Sequence, residues 1–399
     1  MKIAIVAPTQ IPARRANTIQ VMKMSQAMVN LGHNVHLAVP VDNISSNQVR
    51  DARPADTPNF MHSWDKLSHH YGLQKEFPIT WFPTRSTLRR YDFSLKAIHW
   101  ARRWGADLIY TRLPQVAALA STFKIPVVFE IHDFPHGSFG SRLFRRFLKG
   151  AGARRLVVIT LSLAQDLAQE FNSPLTPPFT IIAPDGVDLD RYAGLPGPTD
   201  ARELLSQSKL RGSTLSPECF TAGYTGHLYR GRGVSMLLKM AACTPDITYL
   251  LVGGESAEIK RLESDVQSMG INNIILVGFV PNAELPLYQA ACDVLMMPYQ
   301  HKVAASSGGD ISRYLSPMKL FEYMACGRAI LSSNLQVLKE VLNPQNAVLL
   351  PPDDVDAWTG EIQNLRSNHD RLEQLAIQAK KDAAQYTWKA RAERILDGL

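Results

Sequence analysis

The chain has 399 residues, of which 45% are hydrophobic and 20% are charged, and its formal net charge is +7. Because this length exceeds what one hydrophobic core usually holds, two domains are expected. No apolar run approaches the roughly 18 residues that span a bilayer, and the N-terminal run is too short for a secretory signal. The cysteines lack the paired spacing of a metal site and are expected to be reduced, mostly buried thiols, which favours a cytoplasmic protein. They are Cys219, Cys243, Cys292 and Cys326.

Positive charge is concentrated in the first half of the chain. Residues 1–195 hold 23 Lys and Arg against 14 Asp and Glu, whereas residues 196–399 hold 20 against 22. In residues 141–155 the spacing predicts an amphipathic helix. Two interpretations are open: a helix on an anionic membrane surface, or an ordinary helix with a solvated basic face. Nucleic acid is not expected as a partner, because the aromatic residues are spaced for packing rather than for stacking on bases.

In the first half, strand and helix patterns alternate along the chain. "KIAIVAP" is a predicted strand, "ANTIQVMKMSQAMVNLG" repeats apolar residues at helical spacing, and "NVHLAVP" is the next strand. Further strands are predicted at "DLIYT", "PVVFEI" and "RLVVIT", with helices between them. Residues 44–75 are polar and irregular and are predicted to form a long loop. Strands separated by helices predict a parallel sheet.

The pattern breaks at "PDGVDLDRYAGLPGPTD", which is typical of a linker. A second series of predicted strands follows at "CFTAGYTG", "ITYLLVGG", "NNIILVGFV", "CDVLMMPY", "RAILSS" and "NAVLLP". The predicted fold is therefore α/β, with two Rossmann-like, doubly wound domains, residues 1–190 and 191–385, facing each other across a cleft. Ligands of such sheets bind beyond the carboxyl ends of the strands.

The first candidate site is "YTGHLYRGRGVSMLLKMA", in which a strand is predicted to end at Thr225 and a helix to begin near Gly233. The glycines between them let backbone amides approach an anion, and the helix N-terminus adds partial positive charge. Arg230 and Arg232 can neutralise phosphate oxygens. This loop fits a diphosphate; a glycine-rich turn with solvated arginines is the alternative.

The second candidate site is "SPMKLFEYMACGRAIL", predicted to be a helix with Ser316 as its N-cap and Pro317 in its first turn. Lys319 precedes Glu322 by about one turn, so a cation and a carboxylate are presented together. The cation suits a phosphate, and an ionised carboxylate can accept hydrogen bonds from two sugar hydroxyls, which indicates a nucleotide ribose. An intrahelical Lys–Glu pair is the alternative.

Several motifs occur together: "APDGVDLDRY", "GHLYRGRG", "LLVGG", "LYQAACDVLMMP", "SPMKLFEYMACGRAIL" and "YTWKARAERIL". With "NTIQVMKMSQAMVNLGHNV" and "EIHDFPHG" in the first half, they resemble glycosyltransferase family 4, in a variant with a Ser-Pro-x-Lys-Leu-Phe-Glu motif. The resemblance covers most of the chain and is more specific in the second domain. It implies the GT-B fold, retaining sugar transfer, and a terminal helix, residues 386–399, that packs back on the first domain.

The resemblance implies a donor site in the second domain. Glu322 matches the glutamate that holds the ribose, whereas Arg232 and Lys319 match residues that bind the diphosphate. Phe279 and Val280 match a segment whose backbone faces the base. The implied donor-binding set is Gly226, His227, Arg230, Arg232, Phe279, Val280, Ser316, Lys319 and Glu322.

In the first domain, the implied acceptor-side residues are Asn17, His132 and Asp133. His132 is also an implied catalytic residue, beside the two diphosphate ligands Arg232 and Lys319. Its implied task is to position the sugar or the acceptor, while a departing phosphate oxygen takes the acceptor proton.

Two positions depart from the family pattern. Tyr314 stands where the first glutamate of a Glu-x7-Glu motif is expected, which puts the sugar contacts in doubt. His227 stands where an arginine is usual, and a neutral histidine is a weaker ligand for a diphosphate.

The function implied is retaining transfer of a sugar from a nucleoside diphosphate sugar to a saccharide or lipid-linked acceptor, in cell-surface polysaccharide or glycoconjugate synthesis. No metal or other cofactor is expected, since Asp188 and Asp190 belong to the linker motif. The expected location is cytoplasmic, including the inner face of the membrane. Two alternatives are a sugar-nucleotide epimerase of the same fold and a partner subunit with weak catalysis.

Overall fold

A computed structural model describes residues 1–42, 63–85, 88, 90–207, 215–304 and 309–399. The chain divides into two compact units. The first comprises Met1–Asp185 together with Trp388–Leu399, and the second comprises Gly186–Thr387. The last helix of the chain is therefore part of the first unit.

The first unit is built on a parallel sheet whose strand order is β3-β2-β1-β4-β5-β6-β7. Its strands are β1 (Lys2–Val6), β2 (Asn34–Asp42), β3 (Ile79–Thr84), β4 (Leu108–Thr111), β5 (Val127–Ile131), β6 (Ala153–Val158) and β7 (Thr180–Ile182). Its helices are α1 (Ala16–Asn30), α2 (Trp64–Tyr71), α3 (Tyr91–Trp104), α4 (Pro114–Thr122), α5 (Gly137–Lys149), α6 (Leu161–Phe171) and α14 (Trp388–Leu396). The five strands predicted in this half are confirmed.

The prediction of a loop over residues 44–75 is wrong at its end, where α2 forms. Leu67 and Tyr71 lie one helical turn apart and are both buried, and the Tyr71 hydroxyl accepts a hydrogen bond from the Ala13 backbone N–H at 2.8 Å. Tertiary packing therefore stabilises a helix whose other residues are mostly polar. Residues 43–62 lie outside the described part of the chain.

The second unit is built on a parallel sheet of order β10-β9-β8-β11-β12-β13. Its strands are β8 (Thr221–Thr225), β9 (Thr248–Val252), β10 (Ile274–Gly278), β11 (Val294–Met297), β12 (Ala329–Ser333) and β13 (Val348–Leu350). Its α-helices are α7 (Pro198–Gln207), α8 (Val234–Cys243), α9 (Ser256–Ser268), α10 (Leu285–Ala290), α11 (Met318–Cys326), α12 (Val355–Ser367) and α13 (His369–Ala383). All six predicted strands of this half are confirmed.

Both sheets share one topological feature that positions ligands. The strand order reverses beside the first strand of each sheet, between β1 and β4 and between β8 and β11. Loops on the two sides of such a switch point diverge and leave a crevice at the carboxyl ends of the strands. In the second unit this crevice is bounded by the loop after β8 and the segment after β11.

The four cysteines are free thiols. Cys292 and Cys326 are buried, and burial raises the pKa of Cys326 to about 11, so its thiol stays protonated. Cys243 is exposed and Cys219 is partly exposed, so the prediction of buried thiols is confirmed for only two of the four. Among the described helices, none is long and apolar enough to cross a membrane.

Candidate functional site

The loop between β8 and α8 is shaped by three glycines with positive φ, Gly226 at 130°, Gly231 at 83° and Gly233 at 85°. A Cβ at Gly233 would lie 1.9 Å from the carbonyl oxygen of Pro298, so only glycine lets the loop contact the segment after β11. A Cβ at Gly226 would lie 2.9 Å from Nζ of Lys319, so the start of the loop lies beside α11. The glycine-rich loop therefore brings the end of β8, the end of β11 and the start of α11 together.

Two cations, Arg232 and Lys319, meet at this point around the ring of Tyr299. The guanidinium carbon of Arg232 lies 5.3 Å from the ring centroid and Nζ of Lys319 lies 5.8 Å from it. Nζ of Lys319 also lies 3.7 Å from the ring centroid of Tyr224. Within the described part of the chain, neither this buried Nζ nor the buried Nε of Arg232 has a hydrogen-bond partner. Buried cations without hydrogen-bond acceptors are costly, so the pair is suited to an anionic ligand.

The protonation state of the basic groups follows from this burial. Burial lowers the pKa of Lys319 well below its usual value, Arg232 lowers it further, and Glu322 acts in the opposite direction. Burial also lowers the pKa of His227, with Arg232 and Lys319 adding to the effect. His227 is therefore neutral at pH 7 and stacks on Tyr229 at 4.7 Å between ring centroids. The negative charge of a diphosphate bound here would therefore be neutralised by Arg232 and Lys319 and not by His227.

Glu322 lies on α11 and is only 8% exposed. Its Oε2 accepts a hydrogen bond from Nε2 of Gln289 at 3.4 Å, and no other hydrogen bond to this carboxylate comes from the described residues. The Gln289 amide is held in turn by the Tyr192 hydroxyl, which donates to its Oε1 at 2.9 Å. An ionised carboxylate has about four acceptor positions, so Glu322 retains capacity for ligand hydroxyls.

The first unit places His132 and Asp133 directly after β5, at the carboxyl edge of its sheet. Nε2 of His132 is hydrogen-bonded to the buried carboxylate of Glu130, whereas Oδ1 of Asp133 accepts from the Phe134 backbone N–H at 2.8 Å. Asn17 lies in the first turn of α1, after β1, and its buried Oδ1 has no hydrogen-bond partner in the described ranges. An unsatisfied buried acceptor at a strand-to-helix junction can receive a ligand donor.

Burial lowers the pKa of His132, Arg112 lowers it further, and Glu130 opposes them, so that the pKa is about 4. The imidazole is therefore neutral at pH 7. A neutral imidazole has one N–H donor and one acceptor nitrogen, so His132 can hold a hydroxyl group without carrying charge.

The architecture is shared with solved glycosyltransferase structures. HepE of Anabaena, solved in complex with UDP, superposes with a TM-score of 0.72 at 17% identity, covering 99% of this chain and 98% of that chain. Two family models match the sequence: residues 219–368 match the model described as Glycosyl transferases group 1, and residues 18–191 match the one described as Glycosyltransferase Family 4. The chain belongs to the glycosyltransferases of the GT-B fold.

Two curated relatives match this glycosyltransferase in sequence. A D-inositol 3-phosphate glycosyltransferase of Corynebacterium urealyticum is 27% identical over 255 residues, covering 61% of this chain and 55% of that protein. A phosphatidyl-myo-inositol mannosyltransferase of Mycolicibacterium smegmatis is 21% identical over 416 residues, covering 99% of this chain and 92% of that protein. The glycosyltransferase thus spans about half the length of the first relative and nearly all of the second.

The start of α11 differs from its prediction in this glycosyltransferase. The helix begins at Met318 with Pro317 as its N-cap residue, so the prediction that Ser316 is the N-cap and that Pro317 lies in the first turn is wrong. Pro317 has extended backbone angles, φ −81° and ψ 128°, so the helix begins one residue later than predicted. Tyr314, at the position where a glutamate was expected, lies half-buried in the turn before α11, and its N–H donates to the Ile311 carbonyl oxygen at 3.0 Å.

The remaining predicted donor residues divide between the crevice edge and the surface. Phe279 and Val280 directly follow β10, and Val280 packs against the core of the unit. Arg230 is exposed, although it lies in the same loop as the partly buried Arg232. The structure therefore brings Arg232, not Arg230, to the side chain of Tyr299.

Sequence reasoning missed several residues of both sites in this glycosyltransferase. Tyr224, Gln289 and Tyr299 contact the predicted donor residues, and the position of Tyr299 shortly after β11 was the available signal. In the first unit Glu130 and Arg391 were missed. A charged residue inside the apolar strand "PVVFEI" was a signal for the former, whereas nothing local indicated the latter.

The basic helix predicted within residues 141–155 is α5, which ends at Lys149. Leu143, Phe144 and Phe147 are buried in the unit, so the predicted apolar face serves packing. The predicted basic side chains are exposed, namely Arg142, Arg145, Arg146 and Lys149. The predicted helix range, residues 141–155, is too long at its end. Arg155 belongs to β6, is 4% exposed and donates to the Pro178 carbonyl oxygen at 3.1 Å.

Across the described ranges, no group of three or more His, Cys, Asp or Glu side chains could hold a metal ion.

Proposed function

We propose that this chain is a retaining glycosyltransferase of family 4, which transfers a sugar from a nucleoside diphosphate sugar to a saccharide or lipid-linked acceptor. The observation that carries the proposal is the cation pair Arg232 and Lys319, beside the carboxylate of Glu322. The side chains are partly buried, and their buried Nε and Nζ lack hydrogen-bond partners among the described residues. The pair matches a diphosphate and the carboxylate matches ribose hydroxyls.

The cations account for the chemistry of the leaving group. As the bond between the anomeric carbon and the diphosphate breaks, negative charge grows on the phosphate oxygens. Arg232, Lys319 and the N–H groups at the start of α8 stabilise that charge as preorganised donors in a site partly shielded from water. In a retaining reaction the acceptor attacks from the face that the diphosphate leaves, and a departing phosphate oxygen takes the acceptor proton.

His132 is assigned to hold the acceptor or the sugar, and Asn17 and Asp133 to contact the acceptor. The neutral imidazole suits this task, because it can accept or donate a hydrogen bond without a charge that would compete for the diphosphate.

The comparisons support the proposed substrate class. HepE, whose fold this chain shares, was solved with UDP, with UDP and glucose, and with UDP-glucose. The curated relatives are named as a glycosyltransferase and a mannosyltransferase. Synthesis of a cell-surface polysaccharide or glycoconjugate is the proposed setting.

The site assignment predicts a ribose-specific effect for Glu322→Ala. Because the carboxylate is assigned to the ribose, UDP affinity should fall about 10- to 100-fold, the loss expected from hydrogen bonds to a charged group. Inorganic diphosphate lacks a ribose and should bind the variant as well as the wild type. Isothermal titration with both ligands measures this, and Glu373→Ala, which removes an exposed glutamate of α13, is the matched control.

Equal affinities of wild type and Glu322→Ala for UDP would remove the ribose assignment. A sugar-nucleotide epimerase would convert the donor without an acceptor. Release of nucleoside diphosphate that begins only when an acceptor is added distinguishes transfer from epimerisation. A partner subunit with weak catalysis would bind the donor and release no nucleoside diphosphate.

The basic face of α5 is proposed to hold the enzyme on an anionic membrane surface. Since its apolar residues are buried, binding would be electrostatic and about 1 kcal/mol for each basic residue near the surface. Arg145 lies along the ring of Phe171 at 5.2 Å, and Nε of Arg146 donates to Oγ1 of Thr122 at 2.9 Å, so both arginines are held along the protein surface.

Charge reversal of Arg145 and Arg146 to glutamate should weaken sedimentation with phosphatidylserine vesicles by at least about tenfold. The matched control is reversal of Lys260 and Arg261, two adjacent exposed residues of α9. Sedimentation that falls equally in both variants would reflect total charge alone, and unchanged sedimentation would end the membrane proposal.

A further inference from the structure

Glu130 is a carboxylate at the centre of the first sheet and is fully buried. Arg391, on α14, forms a bidentate ion pair with Glu130. Its Nη1 lies 3.1 Å from Oε2, and its Nη2 lies 3.0 Å from Oε1. Nε2 of Gln20 donates to Oε1 at 2.6 Å, and His132 contacts the same oxygen. Burial would raise the pKa of Glu130, but Arg391 and His132 outweigh it and hold the pKa at about 2. The carboxylate is therefore ionised and can only accept hydrogen bonds.

The guanidinium group of Arg391 is fixed on its other side by backbone. Its Nε donates to the carbonyl oxygen of Pro184 at 2.8 Å, and Nη2 donates to that of Ala183 at 3.1 Å. Arg391 is 4% exposed and shares its unit with these residues, so the guanidinium cannot rotate without breaking several hydrogen bonds. The orientation of the Glu130 carboxylate follows from that of Arg391.

This geometry decides which ring nitrogen of His132 carries the proton. Nε2 faces an ionised carboxylate, which cannot donate, so Nε2 must donate and must carry hydrogen. Because the imidazole is neutral, Nδ1 is left with a free lone pair. In the described part of the chain no residue is hydrogen-bonded to Nδ1.

We propose that Arg391 is a positioning residue that acts through Glu130 to hold His132 as its Nε2–H tautomer, leaving Nδ1 to accept a hydrogen bond from a non-reacting hydroxyl of the bound sugar or acceptor. The tautomer rests on the contacts of the first unit alone. Only the identity of the hydroxyl rests on the proposed function.

A purely structural role for the ion pair makes a different prediction. It would lower stability when the pair is removed and leave the tautomer of His132 unchanged. The test therefore reads the tautomer directly, by ¹⁵N NMR of the imidazole nitrogens at pH 7, together with kcat and KM for transfer.

In the wild type, the NMR spectrum should show His132 as a single Nε2–H tautomer. Arg391→Met should yield a mixture of tautomers and lower kcat about 10- to 100-fold, as when a residue that orients a ligating histidine is removed. KM for the donor should be unchanged. Arg394→Met, which removes an exposed arginine of the same helix, is the matched control and should behave as wild type.

Arg391→Met leaves a buried carboxylate without its cation, which is expected to destabilise the fold. A second variant therefore tests the same proposal without a buried unpaired charge. The double variant Glu130→Leu/Arg391→Met removes both charges and should fold, since apolar replacement of a buried ion pair is often tolerated. It should show the same mixture of tautomers. An Nδ1–H tautomer in the wild type, or an unchanged tautomer in the double variant, would overturn the proposal. The expected tautomers in a protein that transfers no sugar would support the positioning role and refute the proposed function.

Discussion

Replacing Lys319 with methionine is expected to stabilise the ligand-free protein and to weaken nucleoside diphosphate binding. The buried Nζ has no hydrogen-bond partner among the described residues, and burial lowers the lysine pKa well below its usual value. Methionine keeps most of the apolar stem and carries no charge to desolvate, so the folded state should gain stability. If Lys319 were retained for packing alone, its replacement would lower the stability of the ligand-free protein.

The binding effect follows from the same charge. Loss of a charge-assisted hydrogen bond to the diphosphate should weaken UDP binding about 10- to 100-fold. Since the pKa of Lys319 is lowered in the free protein and an anion raises it, wild-type binding takes up a proton, and affinity should rise as pH falls toward the lowered pKa. In Lys319→Met this contribution disappears. In this variant the affinity for UDP should therefore change less with pH than in the wild type, at pH values above the phosphate pKa of about 6.

The measurements are thermal unfolding without ligand and titration of UDP at several pH values. Lys239→Met, which removes an exposed lysine of α8, is the matched control and should change neither quantity by much. A lower unfolding temperature for Lys319→Met together with wild-type affinity for UDP would show that Lys319 serves the fold and not the donor.

Replacing His132 with alanine should lower sugar transfer about 100-fold, the loss expected when a side chain that positions the reacting groups is removed. UDP affinity should be unchanged, because the diphosphate is assigned to Arg232 and Lys319. The pKa of His132 is about 4, so its acceptor nitrogen is available above that value and is lost as pH falls through it. The contribution of His132 to the wild-type transfer rate should therefore not change with pH near neutrality.

Single-turnover rates and UDP titration separate these two effects. His99→Ala, which removes an exposed histidine of α3, is the control and should leave both at the wild-type level. If His132→Ala transfers sugar at the wild-type rate, His132 is a buried structural residue and its assignment is wrong.

The local patterns of this sequence predicted most of the secondary structure. All the strands called from long apolar runs exist, whereas β3 and β7 were not predicted. β3 contains Pro83 and is mostly half-buried, and β7 has three residues, so neither has the length or the apolar continuity of a central parallel strand. Helix α2 was missed because its apolar positions are few and its stability comes from burial.

The sequence by itself determined the alternation of strands and helices, the glycine-rich loop and the presence of a lysine and a glutamate about one turn apart on α11. These are short-range features, since they depend on backbone periodicity, on glycine conformations and on residues one helical turn apart. The resemblance to a family added the roles expected for those residues.

Only the tertiary structure decided which charges are buried and what they meet. Arg232 and Lys319 are brought to one tyrosine because parallel strands end at a common edge. The packing around them, not their spacing, leaves Nε of Arg232 and Nζ of Lys319 buried without hydrogen-bond partners among the described residues. Glu130 and Arg391 are 261 residues apart in the chain, yet form one ion pair in the first unit. Desolvation depends on every chain segment packed around a group, so the protonation states of Lys319 and His132 follow from the packed fold and from no local stretch of the sequence.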